Sequence, residues 1–209
     1  MGTNNSLMDA RQLNGLFEYL LVAHANLRVN EIFNREKNWF SGEFDAKIAA
    51  ATHPHITLAN FLALEPMEYT IAKWIQQIVS GTDSFLVTLD KFAGFPHHTI
   101  DADVQDATPF QQLVKKLKPV KDYIADSNCP AARFISKPHL TIARRLTEEV
   151  YIKAMAHYSK KSLYESFMVE ELVLLRRRHQ FDKCQPVQVF RFKPAELVND
   201  SPELVNLKK

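Results

Sequence analysis

Residues 53–60 read His-Pro-His-Ile-Thr-Leu-Ala-Asn, and residues 137–144 read Lys-Pro-His-Leu-Thr-Ile-Ala-Arg. Four of the eight positions are identical, two more exchange Ile and Leu, and the copies are offset by 84 residues. Successive side chains of a β-strand point to opposite faces, so His55 and Thr57 share one face and Ile56 and Leu58 the other. His139 and Thr141, backed by Leu140 and Ile142, repeat the arrangement. Each octet reads as a strand offering a polar pair on one side and an apolar pair to a core on the other. By strict alternation Arg144 falls opposite His139, and it reaches the histidine face only if the strand bends or ends there.

Working outward, a second echo appears: Ser84-Phe85-Leu86-Val87 matches Ser166-Phe167-Met168-Val169. Between the paired segments lie helical candidates. Residues 67–79 carry Ile71, Trp74, Ile75 and Ile78 on one stripe, and residues 150–163 come after Thr147, a fitting N-cap. Each half therefore reads as strand, helix, strand. Residues 17–25, 85–92 and 99–104 read as strands, and residues 30–40 as a helix. Residues 109–125 read as a helix that Pro119 kinks or ends. Residues 171–178 and 187–192 read as a hairpin. The expected class is α+β, one compact unit of two similar lobes, about 17–104 and 105–194 with intertwined termini allowed, and a peripheral tail over 195–209.

Composition narrows the chemistry. The chain has 209 residues, with only 5 glycines, none beyond Gly94, so a Gly-rich phosphate loop is excluded. Phosphate, if bound, is held mainly by side chains. Net charge is +2, yet residues 1–104 hold 7 Lys/Arg against 12 Asp/Glu and residues 105–209 hold 19 against 12. The basic second half suits an anionic ligand or nucleic acid. No apolar run approaches the ~20 residues of a membrane span, so no membrane association is expected. The start of the chain fits a myristoylation pattern loosely and reads as a flexible leader. Cys129 and Cys184 form no C-x-x-C pair, which points to a reducing, cytoplasmic setting.

A pair of histidines can take a proton from an attacking nucleophile and give one to a leaving oxygen near neutral pH. Threonine hydroxyls can donate to the non-bridging oxygens of a phosphate. The two H-x-T-x motifs, with Arg133-Phe134 upstream of the second, resemble the 2H phosphoesterase superfamily, in its RNA 2′,3′-cyclic phosphodiesterase (2′-5′ RNA ligase) branch. The resemblance spans roughly residues 17–194. It implies a bilobal, duplicated α+β fold with pseudo-twofold symmetry, mostly antiparallel sheets lining a central cleft, and helices outside. It implies His55 and His139 as catalytic residues, and Thr57 and Thr141, with Arg144, as phosphate-binding ones. The implied activity opens 2′,3′-cyclic phosphates on RNA ends or small nucleotides, with reversible 2′-5′ ligation, and needs no metal or cofactor. A monomer is expected. Alternatives are a non-catalytic nucleotide binder of the same fold, or a phosphodiesterase for another small cyclic-phosphate metabolite. The family also carries a basic or aromatic residue on a late strand, where Arg176, Arg177 and His179 fall without an assignment between them.

Other features have plainer readings. His53 and His55 have the spacing of metal ligands, but no carboxylate nearby completes a site, so no metal is expected. His97 and His98 read as a solvated turn, and His24 and His179 are candidates to border the cleft, though neither has a special pattern. Tyr123 and Phe134 read as core rather than base-stacking residues. Lys115, Lys116, Lys118 and Lys121 read as a wet helix face.

Overall fold

The computed structural model describes residues 15–95, 98–179 and 182–195. The expected leader and nearly all of the expected tail lie outside the described residues. Nine strands form one sheet: β1 (Leu16–His24), β2 (His55–Leu64), β3 (Phe85–Phe95), β4 (Thr99–Val104), β5 (Arg133–Phe134), β6 (His139–Arg144), β7 (Glu165–Val169), β8 (Glu171–Arg177) and β9 (Gln185–Arg191). The order is β7-β3-β4-β6-β2-β1-β8-β9, with β5 beside β2, and these strands pair antiparallel throughout. The α+β class is as expected, with the strands of both expected lobes joined in one sheet. The motif strands β2 and β6 meet at its centre through Ile56 and Leu140. The halves of the sheet do not follow the division at residue 104. Strands β3 and β4 lie beyond β6, and β8 and β9 lie beyond β1.

The second echo has a different meaning from the one expected. Strands β3 and β7 are direct neighbours, pairing Phe85 with Val169 and Val87 with Phe167. Similar sequence there reflects matched packing across one ladder rather than equivalent places in two lobes.

The helices α1 (Leu27–Glu43), α2 (Lys47–Ala50), α3 (Glu68–Ser80), α4 (Thr108–Lys116), α5 (Lys118–Asp126) and α6 (Glu148–Tyr158) cover the sheet. Asn26 caps α1 by accepting from the Val29 amide at 3.0 Å, and Thr147 caps α6. Cap residues of this kind satisfy amides that the first helical turn leaves open. The single helix expected over 109–125 is two, broken at Leu117 so that Pro119 sits in the first turn of α5. There its missing N–H breaks no helical bond. Pro186 lies inside β9, which proline tolerates because β9 is the edge of the sheet. The core lies between helices and sheet, with Ile56, Leu58, Leu140 and Ile142 almost wholly buried. No helix among the described residues is long and apolar enough to cross a membrane.

Candidate active site

The central seam fixes the site. Ile56 pairs with Leu140 in antiparallel register, so His55 stands beside Thr141 and Thr57 beside His139. All four side chains leave the sheet on the face opposite the buried Ile56, Leu58, Leu140 and Ile142. The two pairs stand side by side on adjoining strands. His55 and His139 are diagonal neighbours in this ladder, which puts their Cβ atoms roughly 7–8 Å apart.

Both imidazoles are oriented alike. The Nδ1 of His55 lies 2.7 Å from the carbonyl of His53, and the Nδ1 of His139 lies 3.1 Å from that of Lys137. A carbonyl only accepts, so Nδ1 carries the hydrogen in each ring and Nε2 is left to act on a ligand.

Each motif strand then contains a bulge at the same place. On β1, Leu21 pairs with Ala59 and Val22 with Thr57, so Leu58 is the extra residue. On β4, Ile100 pairs with Ala143 and Asp101 with Thr141, so Ile142 is the extra residue. A bulge re-aims the side chains beyond it. Ala59 and Ala143 are buried in succession to Leu58 and Ile142, and Asn60 and Arg144 turn to the histidine face. The parity objection to Arg144 is thereby removed: the cationic groups acting on His55 include Arg144, and Glu18 and Arg177 act on Arg144 itself.

The neighbouring strands bring further groups, of which the sequence did not single out Glu18, Asp101, Asp103 or Lys37. On β1, His24 pairs with His55. Glu18 accepts from Asn60 at 2.7 Å and from Arg177 at 2.7 Å. Burial raises the Glu18 carboxyl, but the hydrogen bonds from Arg177 and Asn60 outweigh it and hold the group below its ordinary range. On β4, Asp101 and Asp103 pair with Thr141 and His139. Asp101 is only 4% exposed, and burial pushes its carboxyl upward against the attraction of His139. Behind β6, the buried Lys37 of α1 donates to the Thr141 carbonyl at 3.2 Å. Desolvation pulls the His55 imidazole down to about 4, and the charges of Lys37, His24 and Arg144 act in the same direction. His55 is therefore uncharged at neutral pH.

The late-strand ambiguity resolves by register. Arg177 pairs with Glu18 and faces the histidines. Arg176 pairs with Tyr19 on the helix-covered face, where it binds Glu65 and Glu68 at 2.9 Å each. His179 is exposed, its backbone amide donating to the Asp182 carboxylate. Tyr123 packs on Trp74 with centroids 5.2 Å apart, and Phe134 packs against the core, both as expected. Lys115, Lys116, Lys118 and Lys121 are exposed, also as expected. His98 is exposed, and His97 lies outside the described residues. Among the described residues no group of three or more His, Cys, Asp or Glu is placed to hold a metal ion.

The family model of the 2′-5′ RNA ligase superfamily matches residues 24–180, and the chain belongs to that superfamily. No curated protein matches the chain. Among solved structures, Escherichia coli LigT complexed with 3′-AMP is 16% identical, with 85% of this chain and 98% of that one covered and a TM-score of 0.61. LigT complexed with phosphate gives 16% identity, coverage of 86% and 99%, and a TM-score of 0.60. TT0787 of Thermus thermophilus gives 14% identity, coverage of 85% and 98%, and a TM-score of 0.63. At these identities the likeness is one of fold.

Proposed function

We propose that this member of the 2′-5′ RNA ligase superfamily is a phosphodiesterase that opens 2′,3′-cyclic phosphates on RNA ends or small nucleotides. The observation that carries the reading is the shared face of His55, Thr57, His139 and Thr141, with Nδ1 of each ring turned to a backbone carbonyl. In-line displacement at phosphorus needs a proton acceptor on one side and a donor on the other, a separation that the diagonal histidines suit. His55, uncharged in the free protein, takes the proton of the attacking water through Nε2. The water oxygen bonds to phosphorus as the P–O bond to one ribose oxygen breaks. His139, beside the carboxylates of β4, enters the step as the imidazolium, with hydrogen on both nitrogens, and gives that ribose oxygen the proton of its Nε2. Thr57 and Thr141 donate to the non-bridging oxygens, and Arg144 holds their charge. The scheme routes no step through a metal, and with a 5′-hydroxyl in place of water the same displacement forms a 2′-5′ linkage as the 3′ oxygen leaves. That LigT was crystallised with 3′-AMP and with phosphate supports a nucleotide phosphate as the ligand here. The setting in which we place this activity is the cytoplasm.

The test is turnover of 2′,3′-cyclic mononucleotides and of short RNAs bearing that end. His55→Ala and His139→Ala should each lose about 10²–10⁴-fold in kcat while remaining folded. Wild-type rates in either folded variant would remove the two-histidine mechanism. Tight binding without turnover would favour a nucleotide-binding role instead.

A further inference from the structure

Lys37 lies on the inward stripe of α1 with Val29, Phe33 and Phe40, a position for an apolar residue. It is only 3% exposed. Its ammonium donates to the Thr52 hydroxyl at 2.9 Å and to the Thr141 carbonyl at 3.2 Å, both neutral acceptors. Among the described residues it forms no ion pair. A buried charge is ordinarily retained with an opposite charge beside it. Here the charged or titratable groups that interact with it are His55 at the start of β2 and Arg144 at the end of β6, neither of them an acid. The ammonium is tied to the backbone of the second motif and to the segment three residues before His55. It therefore sits directly behind the surface on which His55 and Thr141 stand together. An anion on that surface would complete the pair.

We propose that Lys37 is a positioning residue for an anionic phosphate: its buried ammonium ties β6 at Thr141 to the segment before β2, and a phosphate held between His55 and Thr141 supplies its missing counter-charge. The proposal deepens the phosphodiesterase reading and rests on it. Attack of water on the cyclic ester adds negative charge to the non-bridging oxygens, so a fixed cation behind them favours the transition state over the bound ester. The same field disfavours a proton on His55.

Three readouts on the full chain test this, with inorganic phosphate as the probe. A separation of roughly 8 Å at an effective dielectric near 20 makes the attraction worth about thirtyfold in affinity. Lys37→Met should weaken phosphate binding by about that factor, and lower kcat/KM on cyclic phosphates at least as much. It should also raise the titration midpoint of His55 followed by NMR. Lys37→Arg, which keeps the charge, should recover most of the loss. In the unaltered protein, saturating phosphate should raise the titration midpoint of the Lys37 ammonium, a measurement independent of whether any variant folds. Unchanged phosphate affinity together with an unmoved His55 titration in Lys37→Met would overturn the proposal. So would a Lys37 titration indifferent to phosphate. If the protein turned over no cyclic phosphate, the phosphodiesterase reading would fail, and the two titrations and the phosphate affinity would still judge Lys37.

Discussion

Replacing Lys37 with methionine should make the protein more stable as well as less active. Burial pulls the ammonium from 10.5 to about 8. A base whose folded pKa lies below its unfolded one binds fewer protons when folded, so its penalty is fully present below the folded value and fades as pH rises toward the unfolded one. The difference corresponds to about 3 kcal/mol of lost stability at pH 7. Methionine removes that penalty but also the hydrogen bonds to Thr52 and Thr141, whose net worth is about 1 kcal/mol each. The variant should therefore gain about 1 kcal/mol at pH 7, or roughly 2–4 °C in Tm for a chain of this size.

The pH dependence is the sharper signature. By pH 9.5 the folded protein has shed the Lys37 proton while the unfolded chain largely keeps it, and the penalty falls to about 1 kcal/mol. The native protein should then gain about 2 kcal/mol on the variant between pH 7 and 9.5, enough to reverse their order. Urea unfolding of both proteins across that range reads the difference directly. A constant difference from pH 7 to 9.5 would mean that Lys37 is not a desolvated ammonium, and the reasoning that makes it the partner of a bound anion would lose its physical basis.

The register of the sheet sets the other outcomes. Arg144→Gln should raise KM for a cyclic phosphate about tenfold and flatten its salt dependence, with stability within about 0.5 kcal/mol of the original. Arg176→Gln should do the reverse, because Arg176 serves Glu65 and Glu68 on the covered face: stability falls by about 1 kcal/mol and kcat/KM is unchanged. Equal effects of the two on KM would contradict the assignment of faces. His55, lowered from 6.5 to about 4, lets the folded protein lag the unfolded chain in proton uptake, so its contribution destabilises as pH falls from 6.5 toward 4. That loss should approach about 3 kcal/mol, and His55→Asn should remove it from the pH–stability curve. A variant curve parallel to the original over that range would refute the burial of a neutral imidazole.

The elements that were legible in the sequence are those set by local period and local chemistry. Alternation in the two octets placed the histidines and threonines on one face, and capping by Thr147 marked a helix start. The illegible part depends on partners far along the chain. Nothing local says that β3 and β7 would pair with each other, or that β8 and β9 would join β1. Two signals were nevertheless available. In each octet the alternation of apolar and polar residues breaks at Ala59 and Ala143, where two inward residues adjoin, and that break marks a bulge. On α1, Val29, Phe33, Lys37 and Phe40 lie at core spacing, so the periodicity of the sequence alone signals a buried charge at the lysine.

The site's backbone is nearly symmetric, and its electrostatics are not. Two strands with the same bulge present the same His–Thr pair, and each histidine donates to the carbonyl two residues before it. The residue that pairs with each histidine on the outer strand breaks the symmetry: His24 beside His55, and Asp103 beside His139. Lys37 and Arg144 add to the cationic side, and Asp101 to the acidic one. A symmetric pair of imidazoles would compete for the same proton, whereas a reaction that removes a proton on one side and delivers one on the other needs them unlike. The cations Lys37 and Arg144 around His55 and the carboxylates of β4 beside His139 make their surroundings unlike without moving either ring. Under the two-histidine mechanism proposed above, the division of roles would reside in α1, β4 and the bulged end of β6 rather than in the shared His–Thr pairs, and two near-identical octets would serve opposite ends of one displacement.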